Sequence, residues 1–456
     1  MFKNVVVLLA LAPWTFTVAA VAPETEPTVK ENKQIAAILS DVSSKNIETT
    51  IRKLVGFGTR HTLSDAQSET RGIGAARRWI QSEFERYSRE NGSRLEVTLD
   101  DFIQSPGDRN PQPVQVVNVV ATLRGAQPEA RDRIYVVSGH YDSRVTDVMN
   151  TTADAPGAND DASGVAAVME MARVMSKKNW DATLVFMAVA GEEQGLFGST
   201  HWAKMAKEKN WNIAGMITND IIGSSHGDDG RVVKDHVRLF AEGVPPLKEM
   251  PDPLRTLVRT GGENDSLARE LARFIKPEAE KHVRGMTVDV IYRRDRYLRG
   301  GDHSPFLDAG FPAVRMTEPN EDFRHQHQDL RKENEVQFGD LPEFCDFDYI
   351  AQVARVNVAA LGALALAPQV PANVEVETKE LTNSTTLEWK PNTEPDLAGY
   401  QIVWRDTTSP VWQHSVSVGN VTRFTVAVSK DNVVFGVRAL DKDGNQSPAS
   451  YPTPRR

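Results

Sequence analysis

Three nearly unbroken apolar runs, residues 134–138, 183–190 and 213–218, constrain the fold most. Each is short and lacks polar alternation, the pattern of a strand buried on both faces of a sheet. Helix-spaced stretches, 164–178 and 200–210, lie between them. The alternation extends outward, with strands expected over 94–102, 114–123 and 313–316. Helices are expected over 72–87, 265–282 and 347–367, and residues 35 to about 90 read as largely helical. Strands alternating with helices predict an α/β fold, a three-layer domain with a mainly parallel central sheet over residues 35–367.

The flanks have a different character. Lys3, an apolar run over 5–11 and small residues from Thr17 to Ala22 predict a signal peptide over residues 1–22. That run is too short to span a membrane. The chain is therefore expected to be secreted or periplasmic, with no stable membrane insertion after cleavage. Residues 23–34, rich in Pro, Glu, Thr and Lys, read as a disordered lead-in. Residues 368–371 form a linker. Beyond it, over 372–456, short strands at 385–389, 399–405, 423–428 and 433–440 alternate with turn residues and predict an all-β sandwich.

A formal net charge of -9 argues against a general nucleic-acid binder. The arginine-rich stretch from Arg293 to Arg299 reads as a solvated loop or pocket rim. The single cysteine, Cys345, allows no intramolecular disulfide and reads as packed rather than reactive.

The chemistry-bearing residues cluster at the ends of apolar runs. Glu192 and Glu193 follow the run 183–190, where a desolvated carboxylate must be paired, protonated or metal-bound. Adjacent residues at a strand end point in different directions. Glu193 is therefore read as a ligand and Glu192 as a general base. His140 follows the run 134–138, and Asp142 suits the role of fixing its tautomer. Asp160 and Asp161 open the helix beginning near Gly164. An N-cap role explains one of these acids, and a bridging carboxylate at a two-metal centre is the sharper reading of Asp160. Asp220 follows the run 213–218 and demands a partner. His325 and His327 are close in sequence, and one of them completes the set. Two histidines and three carboxylates, one bridging, offer two metals three protein ligands each, a set that favours zinc. No GxSxG elbow or P-loop competes for the chemistry.

With these motifs in place, the chain resembles the M28 family of co-catalytic zinc aminopeptidases over residues 35–367. The resemblance rests on Gly139-His140-Tyr141-Asp142-Ser143, the run from Gly157 to Gly164, the run from Gly191 to Ser199, Asn219-Asp220-Ile221-Ile222-Gly223 and Asp302-His303-Ser304-Pro305-Phe306. It implies two Zn2+ per chain, one held by His140 and Asp220, the other by Glu193 and the late histidine, with Asp160 bridging. Glu192 would be the catalytic base, Asp142 the orienter of His140, and Asp302-His303 a supporting element. The family's last motif reads Tyr-His-Thr-x-x-Asp. Counting back from Asp329 selects His325, with His327 the alternative, and Arg324 stands where the family has tyrosine and is a candidate donor. The segment 372–456 resembles a fibronectin type III domain, with Trp389, Tyr400 and Val437 in its core.

The expected activity is exopeptidase removal of N-terminal residues from peptides, by water activated at a di-zinc site. A carboxypeptidase or a glutaminyl cyclase on the same fold is the alternative. A non-catalytic receptor would be expected to lose ligands, and all the critical positions are filled. The expected partners are peptide or protein N-termini and no nucleic acid. Residues 224–264 are expected to form a rim over the site.

Overall fold

A computed structural model describes residues 24–25, 31–244, 251–259 and 261–455. The expected signal peptide, residues 1–22, lies outside the described residues. Eight strands build the main sheet: β1 (Leu95–Gln104), β2 (Val114–Leu123), β3 (Arg133–His140), β4 (Thr183–Val189), β5 (Asn212–Asn219), β6 (His236–Ala241), β7 (Thr287–Ile291) and β8 (Ala313–Thr317). Their spatial order is β1-β2-β4-β3-β5-β8-β6-β7.

The four central strands, β4, β3, β5 and β8, run parallel. The margins do not, so the sheet as a whole is mixed rather than mainly parallel. β1 pairs antiparallel with β2, and β2 with β4. β6 is antiparallel to β8 and parallel to β7. The reason lies in the connections. β1 reaches β2 through a short loop without a helical crossover, which permits only antiparallel pairing of neighbours. After β5 the chain turns along the same sheet edge and re-enters as β6 in the opposite direction. The stretch expected to be only a rim, 224–264, thus contributes an interior strand.

The continuous apolar runs are explained by burial on both faces. Val137, Phe186 and Ile217 face a large helical layer. That layer contains the helices Ser44–Val55, Gly72–Glu90, Gly164–Met175, Leu267–His282 and Phe347–Leu366. Their strand neighbours Val136, Val185, Met187 and Met216 face a smaller layer, the helices Phe197–Glu208 and His303–Ala309. The helix Phe347–Leu366 is long and apolar enough to cross a membrane, but here it is a core helix, apolar because it is buried.

Before the sheet, Asn32 caps the helix Lys33–Leu39 by accepting from the N–H groups of Gln34 and Ile35. That helix therefore begins inside the expected lead-in, and Glu24–Thr25 pairs with the strand His414–Gly419. Beyond Pro368 come two small sheets. One holds Leu397–Asp406, His414–Gly419 and Val433–Asp441; the other holds Ala372–Glu377, Thr385–Lys390, Arg423–Val426 and Thr453–Arg455. Both contribute to one apolar cluster that includes Trp389, Tyr400 and Val437.

This unit is docked on the helix Leu267–His282 through buried polar groups. Glu270 accepts from Arg273 Nη1 (2.9 Å), Trp412 Nε1 (3.2 Å), the Ala449 N–H (2.8 Å) and the Tyr451 hydroxyl (2.6 Å). Arg405 pairs with Asp265, both buried. A buried carboxylate needs partners of this kind.

Candidate metal centre

The site is assembled at the C-terminal ends of the parallel strands, the edge where open α/β sheets place ligands. His140 ends β3, Glu192 and Glu193 follow β4, and Asp220 follows β5. Asp160 lies just before the helix Gly164–Met175, and His327 comes from the irregular segment after β8. Two glycines allow the approach. A Cβ on Gly139 would lie 2.5 Å from the Gly164 carbonyl carbon, and one on Gly164 would lie 2.3 Å from the Asn219 carbonyl oxygen. β3, β5 and the helix start therefore converge more closely than any side chain would permit.

Two donor groups result: His140, Glu192 and Asp220 in one, and Asp160, Glu193 and His327 in the other. They share an edge at Asp160. Its Oδ1 lies 3.1 Å from His140 Nε2, and its Oδ2 lies 2.9 Å from His327 Nε2. Glu193 Oε1 is 2.9 Å from the same His327 nitrogen, and Asp220 Oδ1 is 3.9 Å from His140 Nε2.

His327, not His325, joins the cluster. His325 lies flat on Phe344 with ring centroids 3.8 Å apart, and its Nε2 is 3.7 Å from Asp322. The count back from Asp329 fails because the segment does not run regularly. His327 takes a left-handed φ of 56°, which redirects the chain at that residue. Arg324 is also elsewhere, paired with Asp322, so it offers no donor to the cluster.

The two neighbouring aspartates divide the roles. Asp161 accepts from the His140 N–H and the Gly164 N–H, both at 2.9 Å, and so ties β3 to the helix start. Asp160 is left free to face the histidines, and the Asp160–Asp161 peptide bond is cis. Asp142 is fully buried beside His140. The His140 Nδ1 lies 3.2 Å from its carbonyl oxygen and 3.6 Å from its carboxylate. That carboxylate accepts from the Thr62 hydroxyl (2.9 Å) and from the N–H groups of Glu192 (3.3 Å) and Glu193 (3.2 Å). One group thus positions the ring and the two glutamates together. Asp302 is buried nearby, and His303 Nε2 lies 2.7 Å from the Arg294 carbonyl, outside both donor groups.

Several participants gave no sequence signal. Arg144 Nε lies 3.0 Å from Glu193 Oε2, and its Nη2 donates to His327 Nδ1 at 2.7 Å. Arg315, fully buried, lies 3.0 Å from Asp220, a partner that the apolar setting of Asp220 demanded without naming. Asp340 accepts from the N–H groups of Asn159 (2.9 Å) and Asp160 (2.7 Å) and holds the aspartate loop from behind.

The electrostatics show an excess of buried carboxylate. Burial drives Glu192 well above the ordinary carboxylate range, and Glu193, Asp220 and Asp302 add to the rise. Burial also raises Asp220 against the pull of Arg315 and lifts Asp302 to about 7. Burial alone would lower His140, yet Glu192, Asp142 and Asp160 hold it well above its usual value. His140 Nε2 is buried and makes no hydrogen bond, although two carboxylates adjoin it. A ring nitrogen without a proton partner, amid an excess of carboxylates, fits a divalent metal of mixed N/O preference such as zinc.

Comparison with known proteins agrees. The profile of peptidase family M28 matches residues 118–337, which contain every donor of both groups. A probable zinc metalloprotease of Leptosphaeria maculans is 50% identical over 422 residues, covering 92% of this chain and 97% of that protein. Among solved structures, the LapA aminopeptidase of Legionella pneumophila shares the fold with a TM-score of 0.50 at 20% identity, covering 76% of this chain and 78% of that one. The Fimbriiglobus ruber glutaminyl cyclase shares it with a TM-score of 0.51 at 18% identity, covering 75% and 99%. Half-identical to such a relative along nearly its whole length, the chain belongs to peptidase family M28 and is a zinc metalloprotease.

Proposed function

We propose that the protein is a secreted aminopeptidase that removes N-terminal residues from peptides with two zinc ions per chain. The observation that carries this reading is the pair of three-donor groups meeting at Asp160. His140 and Asp220 would hold one ion, Glu193 and His327 the other, with Asp160 between them. A glutaminyl cyclase needs only one zinc, so two histidines and three carboxylates gathered around Asp160 weigh against that alternative. The signal-like N-terminus supports secretion. The two small sheets around Trp389 and Tyr400 support a fibronectin type III-like sandwich, read here as a structural appendage.

When bound, the ions polarise the peptide carbonyl and acidify water. The chain's own groups do the rest. Asp142 fixes the His140 ring and, through two backbone N–H groups, the directions of Glu192 and Glu193. Glu192 is half-buried and lines the cleft, so its carboxylate can take a proton from the attacking water and deliver it to the leaving amine. Arg144 steadies Glu193 from the side.

The test is hydrolysis of a panel of aminoacyl-anilides and their N-acetylated forms by the zinc-loaded protein. Cleavage of the free-amine substrates alone is expected. Cleavage of N-acetylated peptides with a free C-terminus, tested beside the anilides, would replace the reading with a carboxypeptidase.

A further inference from the structure

The cleft over the donor groups, about 380 Å³, carries four arginines on its walls, Arg109, Arg144, Arg296 and Arg299. Leu196, Ile221 and Leu298 supply its apolar lining. The four carboxylates lining it all belong to the two donor groups. Three of them, Asp160, Glu193 and Asp220, would hold the metal and the fourth is the base Glu192; two divalent ions would offset the four negative charges and leave the arginines as the unbalanced charge in the cleft.

Those arginines are only partly neutralised by the rest of the protein. Arg144 is committed to Glu193 and His327. Arg296 Nη1 (2.9 Å) and Arg299 Nη1 (2.8 Å) both reach Glu321, which also carries Arg238 at 2.9 Å. Three guanidinium groups thus share one buried carboxylate. Arg296 also reaches Asp295 at 3.1 Å, but Asp295 already pairs with Arg315. Arg109 is exposed and donates to the Glu193 carbonyl at 2.8 Å, with no carboxylate partner among the described residues. A guanidinium has five donors in a planar fork that matches a carboxylate. Peptide carbonyls use that fork poorly.

We propose that this arginine wall binds a carboxylate carried by the peptide within one or two residues of the scissile bond. The inference rests on the peptidase reading and narrows its substrates to short or acidic peptides. The cleft is at the small end of ligand pockets, so a carboxylate bound there cannot lie far from the reacting bond. Low-dielectric walls of one sign also concentrate anionic substrates. The carboxylate has two sources, the free C-terminus of a dipeptide or an acidic side chain.

Three substrates separate the sources: leucyl-alanine, leucyl-alanine amide and leucyl-glutamate α-amide, each given to the zinc-loaded full chain. Charge-assisted hydrogen bonds of this kind correspond to roughly ten- to hundredfold. Leucyl-alanine is expected to exceed its amide in kcat/KM by at least about tenfold. Arg109→Ala and Arg299→Ala are each expected to shrink that ratio. Preference for leucyl-glutamate α-amide alone would assign the site to acidic side chains, preference for leucyl-alanine alone to the C-terminus, and preference for both to either carboxylate. A second readout is binding of the same three peptides to zinc-loaded Glu192→Gln by calorimetry, with the same order expected. Equal kcat/KM and equal Kd for all three would overturn the proposal. Failure to hydrolyse any of them would count against the exopeptidase reading, and the calorimetric order would then decide the arginine wall alone.

Discussion

At the scale of single residues, the choice between two histidines shows how geometry outranks motif spacing. His327 contacts two acidic donors at 2.9 Å, while His325 packs on an aromatic ring. His327→Ala is expected to lower kcat/KM by more than about a hundredfold, beyond the loss typical of outer-shell partners, and to weaken zinc retention. His325→Ala is expected to keep near-full activity and metal. Steady-state rates and metal content of both variants check this, and the reverse order would reassign the ligand. Glu192→Gln is expected to keep fold and zinc yet lose roughly a hundred- to ten-thousand-fold in kcat. Near-full hydrolysis by that variant would remove Glu192 as the base. His140, Asp160, Glu192, Glu193 and Asp220 were legible in the sequence because each stands at the end of a recognisable apolar run or helix start. His327 was ambiguous and Arg144, Arg315 and Asp340 invisible, because long-range partners leave no local pattern.

At the scale of elements, the site depends on three pieces of backbone meeting closely. β3, β5 and the start of the helix Gly164–Met175 touch where Gly139 and Gly164 leave room. Gly164→Ala would force a Cβ against the Asn219 carbonyl and the Asp161 carboxylate. Overpacking of this kind typically costs about 1–3 kcal/mol. Urea unfolding is expected to show that loss, together with weaker zinc retention as Asp160 shifts. Unchanged stability would mean that the close approach is not maintained in solution. The same scale marks a limit of the sequence reading. The central strands announce themselves by unbroken apolar runs, since both their faces are buried. β6 and β7 do not, because polar residues such as His236, Arg238 and Asp289 interrupt them. The shorter helix His303–Ala309 was missed because it has barely two turns of periodicity.

At the scale of the whole molecule, the C-terminal unit is docked on the peptidase layer rather than tethered. Glu270 and Arg273 lie buried at the junction and share partners from both units. Glu270→Ala would leave Arg273 buried without its counter-charge, a change expected to cost about 3–5 kcal/mol. Wild-type protein is expected to unfold in one thermal transition. In the variant the C-terminal unit should melt earlier, with proteolytic nicking near residues 368–371. Two separate transitions already in the wild type would contradict rigid docking. A short linker was expected at residues 368–371, but the junction itself was illegible, since Glu270 and Arg405 look like ordinary surface residues.

The central claim is that one cluster of side chains holds two zinc ions, with Asp160 between them. Metal analysis of the purified chain, equilibrated with zinc and freed of excess, tests it most directly. Two zinc ions per chain are expected; a single ion, or none, would contradict the shared centre.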